Sequence, residues 1–120
     1  MGSSRDPRQR FRDIADNIAA IREFISGMDL AMFLESRRTT YAVTRALEII
    51  SEASRRLPDE FKDRHPGLDW PAIAAAGNVY RHEYESVDDA LLWHTVQHSL
   101  NALEHAVLEE LRKLNQEQPQ

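Results

Sequence analysis

Two long stripes of apolar residues at helical spacing constrain this chain more than any other feature. Phe11, Ile14, Ile18, Ile21 and Ile25 fall at i, i+3, i+7, i+10 and i+14, one face of an amphipathic helix that Gly27 ends. Toward the other terminus, Leu92, Val96, Leu100, Leu103, Val107, Leu111 and Leu114 share a sector of about 100°, the width of a core-facing helix face. No stretch alternates apolar and polar residues as a half-buried strand does. The pattern predicts an all-α fold, an up-and-down bundle of four main helices with short connections.

Between the stripes, glycines and prolines mark the joints. Asp29 is placed to cap a short turn over Leu30 to Leu34. A second helix is expected from about Ser36 to Leu57, with Ala42, Ala46, Leu47, Ile50, Ala53 and Leu57 available for burial and Pro58 stopping it. The segment PDEFKDRHPGLDWP reads as a loop with one turn of helix. Asp69-Trp70-Pro71 then opens a third helix through roughly Tyr84. Ser86 to Asp89 caps a last helix running from near Asp88 to Asn115. A length of 120 residues fits one domain. Its expected extent is 9–115, between a flexible segment 1–8 and a polar tail 116–120.

Composition then removes whole classes of chemistry. Cysteine is absent, which excludes disulfides, thiolate nucleophiles and Cys-based zinc or iron–sulfur sites. No apolar run approaches the roughly 20 residues needed to span a bilayer. The opening MGSSRDPRQR has no apolar h-region, so a cytoplasmic location and no membrane partner are expected. Fifteen Lys+Arg stand against twenty Asp+Glu, a net charge of −5. That balance argues against bulk electrostatic coating of nucleic acid and leaves room for a local basic site. Only Lys62 and Lys113 are lysines; the other cations are arginines, the better planar partners for phosphate. There is no P-loop, GxGxxG or GxSxG, and no cofactor is expected.

Two groups of residues can carry chemistry. His94, His98 and His105 lie within about 40° of one another, nearly opposite the leucine stripe. His94 and His98 have the i, i+4 spacing of a two-histidine metal site, but Thr95, Val96 and Gln97 between them supply no carboxylate. A polar outer face, or a face against a second subunit, accounts for the pattern without a metal. The denser group is Asn78-Val79-Tyr80-Arg81-His82-Glu83-Tyr84. Asn78 and His82 stand at i, i+4 with Arg81 beside them. A histidine, an arginine, an amide and a phenol can supply a general base, a phosphate clamp and an orienting hydrogen bond. A helix C-terminus carrying His and Arg for dipole reasons explains the same composition.

The segments RFRDIADNIAAIREFISGMDLAMFLESRRTTYAVTRALEIISEASRRLP and HPGLDWPAIAAAGNVYRHEYESVDDALLWHTV resemble the HepT-like (DUF86) family of the HEPN superfamily. LEIISEASRRLP followed by HPGLDWPAIA and N-x3-HEY-x2-VD is a specific combination, and the likeness runs from about Arg12 to Leu114. It implies a HEPN-type helical bundle that forms a homodimer, acting as the toxin of a HepT/MntA-type toxin–antitoxin pair. Active relatives are metal-independent ribonucleases whose composite site lies in a cleft across the dimer interface. The resemblance makes His82 the catalytic histidine, Asn78 the polar residue that follows the motif arginine, and Tyr84 the acceptor of AMP. The implied partner is a minimal, MntA-like nucleotidyltransferase antitoxin, and tRNA or mRNA is the implied substrate.

One position departs from the pattern. The motif arginine belongs five residues before His82, where this chain has Gly77. Arg81 directly precedes His82, and adjacent helical residues point about 100° apart, so it must reach a phosphate by another path. Arg45, on the preceding helix with Glu48 and Glu52, is a second possible donor. Losing a preorganised charge donor typically costs about 10²–10³ in rate. A non-catalytic module that binds RNA or a nucleotidyltransferase is therefore the alternative. The polar face of His94, His98, Asn101 and His105 is a candidate dimer surface.

Overall fold

The computed structural model describes residues 6–82 and 89–117, with side chains described for 6–76 and 89–116. Within them the helices run α1 (Arg8–Phe24), α2 (Leu30–Glu35), α3 (Arg37–Arg55), α4 (Asp59–Arg64), α5 (Trp70–His82), α6 (Asp89–His98) and α7 (Leu100–Glu117). No strand occurs among the described residues.

The joints follow from local chemistry. After α1 the chain turns through Gly27 at φ 78°, the left-handed region that glycine enters without a Cβ clash. The Asp29 carboxylate accepts the Met32 amide at 2.9 Å and caps α2. Ser36 ends one helix and begins the next: its amide donates to the Phe33 carbonyl at 3.1 Å, and its hydroxyl accepts the Thr39 amide at 3.2 Å. Pro58 follows α3 and heads α4, which is longer than the single expected turn and buries Phe61. Asp69 caps α5 by accepting the Ala72 amide at 3.1 Å.

The core lies where α1, α3 and α7 meet. Phe11, Ile14, Ile18 and Ile21 of α1 face Val43, Ala46, Leu47 and Ile50 of α3 and Leu103, Ala106 and Val107 of α7. At about 25 cal/mol per Å² of apolar surface, each fully buried large side chain contributes roughly 1.5–3 kcal/mol, so these three faces dominate the stability. Ile25 of the first stripe and Ala42, expected in the core from the second helix, are only half-buried. α5 packs on the free flank of α3, and α2 bridges α3 and α6 through Phe33, whose ring lies 5.1 Å from that of Trp93.

The last helix differs from the expectation. It divides at Ser99 into α6 and α7. The Thr95 hydroxyl donates to the Leu91 carbonyl at 3.0 Å, a back-bond that bends helices. The Ser99 amide still reaches the Thr95 carbonyl at 2.9 Å, so the chain bends without opening a loop. The apolar stripe continues across the bend: Leu92, Val96, Leu100, Leu103 and Val107 are buried, while Leu111 and Leu114 are half-buried.

Candidate functional site

Asn78, Arg81 and His82 all stand on α5, whose backbone is helical through His82. Their helical register sets Asn78 and His82 one turn apart, with Gly77 immediately before Asn78. Tyr84 lies outside the described residues.

What precedes the motif is tightly fixed. The Trp70 indole donates to the His65 carbonyl at 3.1 Å, and its ring meets that of Phe61 at 5.3 Å, which pins the start of α5. The Ser51 hydroxyl donates to the Ile73 carbonyl at 2.9 Å, and Arg55 Nη1 donates to the Ala74 carbonyl at 2.5 Å. In an α-helix those two carbonyls accept the amides of residues 77 and 78. The side chains of α3 thus grip α5 one turn ahead of Asn78. Glu52 holds the grip in place by accepting from Arg55 at 2.6 Å and from Arg56 Nε at 2.8 Å. Those hydrogen bonds, from Arg55 first and then Arg56, hold the Glu52 carboxyl below the usual carboxylate range.

The course of α5 follows from the same contacts. Among the described residues α3 and α5 form the most extensive helix pair, and Ile73 and Ala74 sit beside Ser51 and Arg55, close to the end of α3. A parallel course would carry α5 past that end within two turns. The helices are antiparallel. At 1.5 Å per residue, the nine residues from Ile73 to His82 span about 13 Å and bring the His82 position level with the Tyr41–Arg45 segment of α3. Arg45 therefore stands at the same level of α3 as the motif region, on the exposed face of the helix. Its guanidinium meets Glu48 at 3.2 Å, while Glu52 is engaged with Arg55 and Arg56 instead.

The remaining candidates are arranged differently. The His94 and His98 rings lie with centroids 4.4 Å apart and planes tilted by 42°, both exposed on α6. Among the described residues no group of three or more His, Asp or Glu side chains is gathered to hold a metal ion. The bend at Ser99 separates this pair from Asn101 and His105 on α7. Asn101 accepts from Arg22 of α1, which also pairs with Glu104, so part of the expected polar face is engaged within the chain.

Sequence reasoning did not find one charged cluster at the opposite end of the bundle. Glu110, almost fully buried on α7, accepts from Arg64 Nη2 at 2.8 Å and Nε at 3.2 Å and lies 3.1 Å from His65 Nε2. Burial alone would raise its pKa. The hydrogen bonds from Arg64 and His65, with Lys113 at 3.9 Å, outweigh that effect and hold the carboxyl below its ordinary value. The available signal was the helical phase of Glu110, which falls inside the leucine sector of the last stripe.

A family model described as "Ribonuclease HepT-like" matches residues 14–110, a span that contains α2 to α6, most of α1 and α7, and the whole Asn78–Tyr84 segment. The chain belongs to the HepT-like family. Among curated HepT-like relatives, the "Probable ribonuclease HepT" of Thermococcus cleftensis is 38% identical over 109 residues, 91% of this chain and 98% of the relative. A "Putative RNase" of Methanocaldococcus jannaschii is 32% identical over 105 residues, covering 88% and 96% of the two chains. Another, from Caldanaerobacter subterraneus subsp. tengcongensis, is 33% identical over 107 residues, covering 89% and 96%. No solved structure matches the chain. No helix among the described residues is long and apolar enough to cross a membrane.

Proposed function

We infer that this HepT-like chain is the toxin of a toxin–antitoxin pair, a cytoplasmic, homodimeric and metal-independent endoribonuclease. The observation that carries the reading is the motif helix: Asn78, Arg81 and His82 stand at the end of α5, and α3 grips that helix one turn ahead of them. Such anchoring supplies the fixed geometry that general acid–base catalysis requires. His82 takes the proton of a ribose 2′-hydroxyl, whose oxygen attacks the adjacent phosphorus. The 5′-oxygen leaves with a proton from a general acid, producing a cyclic phosphate and a free 5′-hydroxyl. Asn78 orients the histidine or the phosphate, and Arg81 or Arg45 stabilises the charge of the phosphorane. Tyr84 accepts AMP from a minimal, MntA-like nucleotidyltransferase, which silences the protein.

A second reading rests on Gly77, which stands where the motif arginine belongs. In it the chain binds RNA or the nucleotidyltransferase and cuts nothing. The test is to incubate the purified protein, without metal, with tRNA and mRNA beside His82→Ala and Gly77→Arg variants. The ribonuclease reading expects cleavage by the native chain that His82→Ala abolishes and Gly77→Arg raises, by about 10²–10³ if the lost donor is fully restored. No cleavage by any of the three supports the binding module. Transfer of AMP from ATP by the partner enzyme, absent in Tyr84→Phe, tests the regulatory half.

A further inference from the structure

The exposed face of α3 changes character along its length. Arg37, Arg38, Tyr41, Arg45, Glu52, Arg55 and Arg56 are all exposed and share one sector of about 100°. In the C-terminal half both cations are paired, with Glu52 bound to both Arg55 and Arg56. The N-terminal half carries three arginines against Glu48, which engages Arg45 alone; neither Arg37 nor Arg38 pairs with a carboxylate among the described residues. Arg45 keeps 72% of its side chain exposed even so.

Tyr41 stands among these arginines with 61% of its surface in solvent, so it holds no part of the core. The Arg37 guanidinium lies 5.5 Å from the Tyr41 ring centroid and Nη2 is 3.3 Å from the phenol oxygen, which steadies the ring. A basic, aromatic patch on a chain of net charge −5 is a local complement to a polyanion with flat bases. Its position adds to this. Ser51 and Arg55, which grip α5, mark the edge of α3 that α5 flanks, and the antiparallel course of α5 brings His82 level with Tyr41 to Arg45.

We propose that the N-terminal half of α3 is a docking ledge for single-stranded RNA. A base stacks on Tyr41, Arg37, Arg38 and Arg45 take the flanking phosphates, and the strand is led from the ledge toward the end of α5. The proposal rests on the ribonuclease reading for the identity of its ligand, and its test separates the two. Binding of a fluorescently labelled oligouridylate is measured by anisotropy at low and moderate salt, with the full-length His82→Ala chain so that the probe stays intact. Tyr41→Ala and Arg38→Glu are introduced on that background. Arg112→Glu, an exposed α7 site that changes net charge equally, is the control.

Tyr41→Ala is expected to weaken binding about 10-fold. Arg38→Glu is expected to lower the slope of log affinity against log salt by about 0.7, while Arg112→Glu leaves that slope almost unchanged. Affinities of both ledge variants equal to that of Arg112→Glu would overturn the ledge. So would a change from dimer to monomer in sedimentation without loss of RNA affinity per protomer, because the face would then be a contact between copies. If the native chain cuts RNA and the ledge substitutions leave binding untouched, the ledge falls and the ribonuclease reading stands. If binding depends on the ledge and the native chain cuts nothing, the ledge stands and the ribonuclease reading falls.

Discussion

Arginine serves opposite purposes at the two ends of this bundle. Where α4 meets α7, Arg64 closes on the buried carboxylate of Glu110, with His65 completing the cluster and Phe61 packed between Phe11, His65 and Trp70 at centroid distances of 4.8–5.3 Å. Where α2 meets the start of α3, Arg37 and Arg38 face solvent around an exposed tyrosine. Phe24, Leu30, Met32 and Leu34 are also exposed at that end. One end has its charges matched and its rings covered. The other keeps polar and aromatic groups open, as a surface that meets other molecules must. The difference separates residues that hold the fold from residues free to act.

The contrast is broken most severely at the closed end. Phe61→Ala removes a ring that is 1% exposed and contacts three others, and a loss of about 3–5 kcal/mol in chemical denaturation is expected. A loss under 1 kcal/mol would mean that α4 is not part of the cooperative core. Glu110→Gln removes the charge that Arg64 and His65 share. Removing one partner of a buried pair costs about 3–5 kcal/mol when the other charge is trapped, but Arg64 is half exposed and can turn to water, so about 2 kcal/mol is expected.

The same carboxylate sharpens the comparison through pH. Its folded pKa lies below the ordinary value, so the stability it contributes is present above the unfolded carboxylate pKa of about 4.3 and is lost as pH falls through the folded pKa. Melting temperatures recorded from pH 6 down to pH 3 should fall less steeply for Glu110→Gln than for the native chain. Equal slopes would place the acid sensitivity elsewhere. The smallest effect belongs to the open end: Tyr41→Ala should change stability by no more than about 0.5 kcal/mol, whatever it does to RNA affinity. A larger loss would make Tyr41 a structural residue and remove the contrast.

The caps and the core faces were legible because they depend on neighbours in sequence. Asp29 and Asp69 each accept an amide three residues ahead, and the stripes from Phe11 to Ile21 and from Leu92 to Val107 are buried as their spacing requires. The division at Ser99 was not legible, since Thr95 and Ser99 fit a helix and only the rotamer of Thr95 sets its back-bond to Leu91. Glu110 stood in the apolar sector in plain view, but its partners Arg64 and His65 reach it only through the placement of α4, which periodicity does not determine. Around the motif, spacing singles out Asn78 and His82. The grip of Ser51 and Arg55 on the preceding turn of α5 comes from a packing choice between helices that no local pattern encodes.

Ser36 closes α2 and opens α3 with no residue to spare between them. A junction of this kind has no slack, so its length is fixed even where its chemistry is replaceable. Inserting a single residue there would rotate α2 by about 100° relative to α3 and swing Phe33 away from Trp93, so α6 would lose its foothold. The turn through Gly27, where an added Cβ would meet no neighbour, can lengthen at far smaller cost. Changes in chain length among variants of this protein that still fold should therefore gather before Asp29 and avoid Ser36.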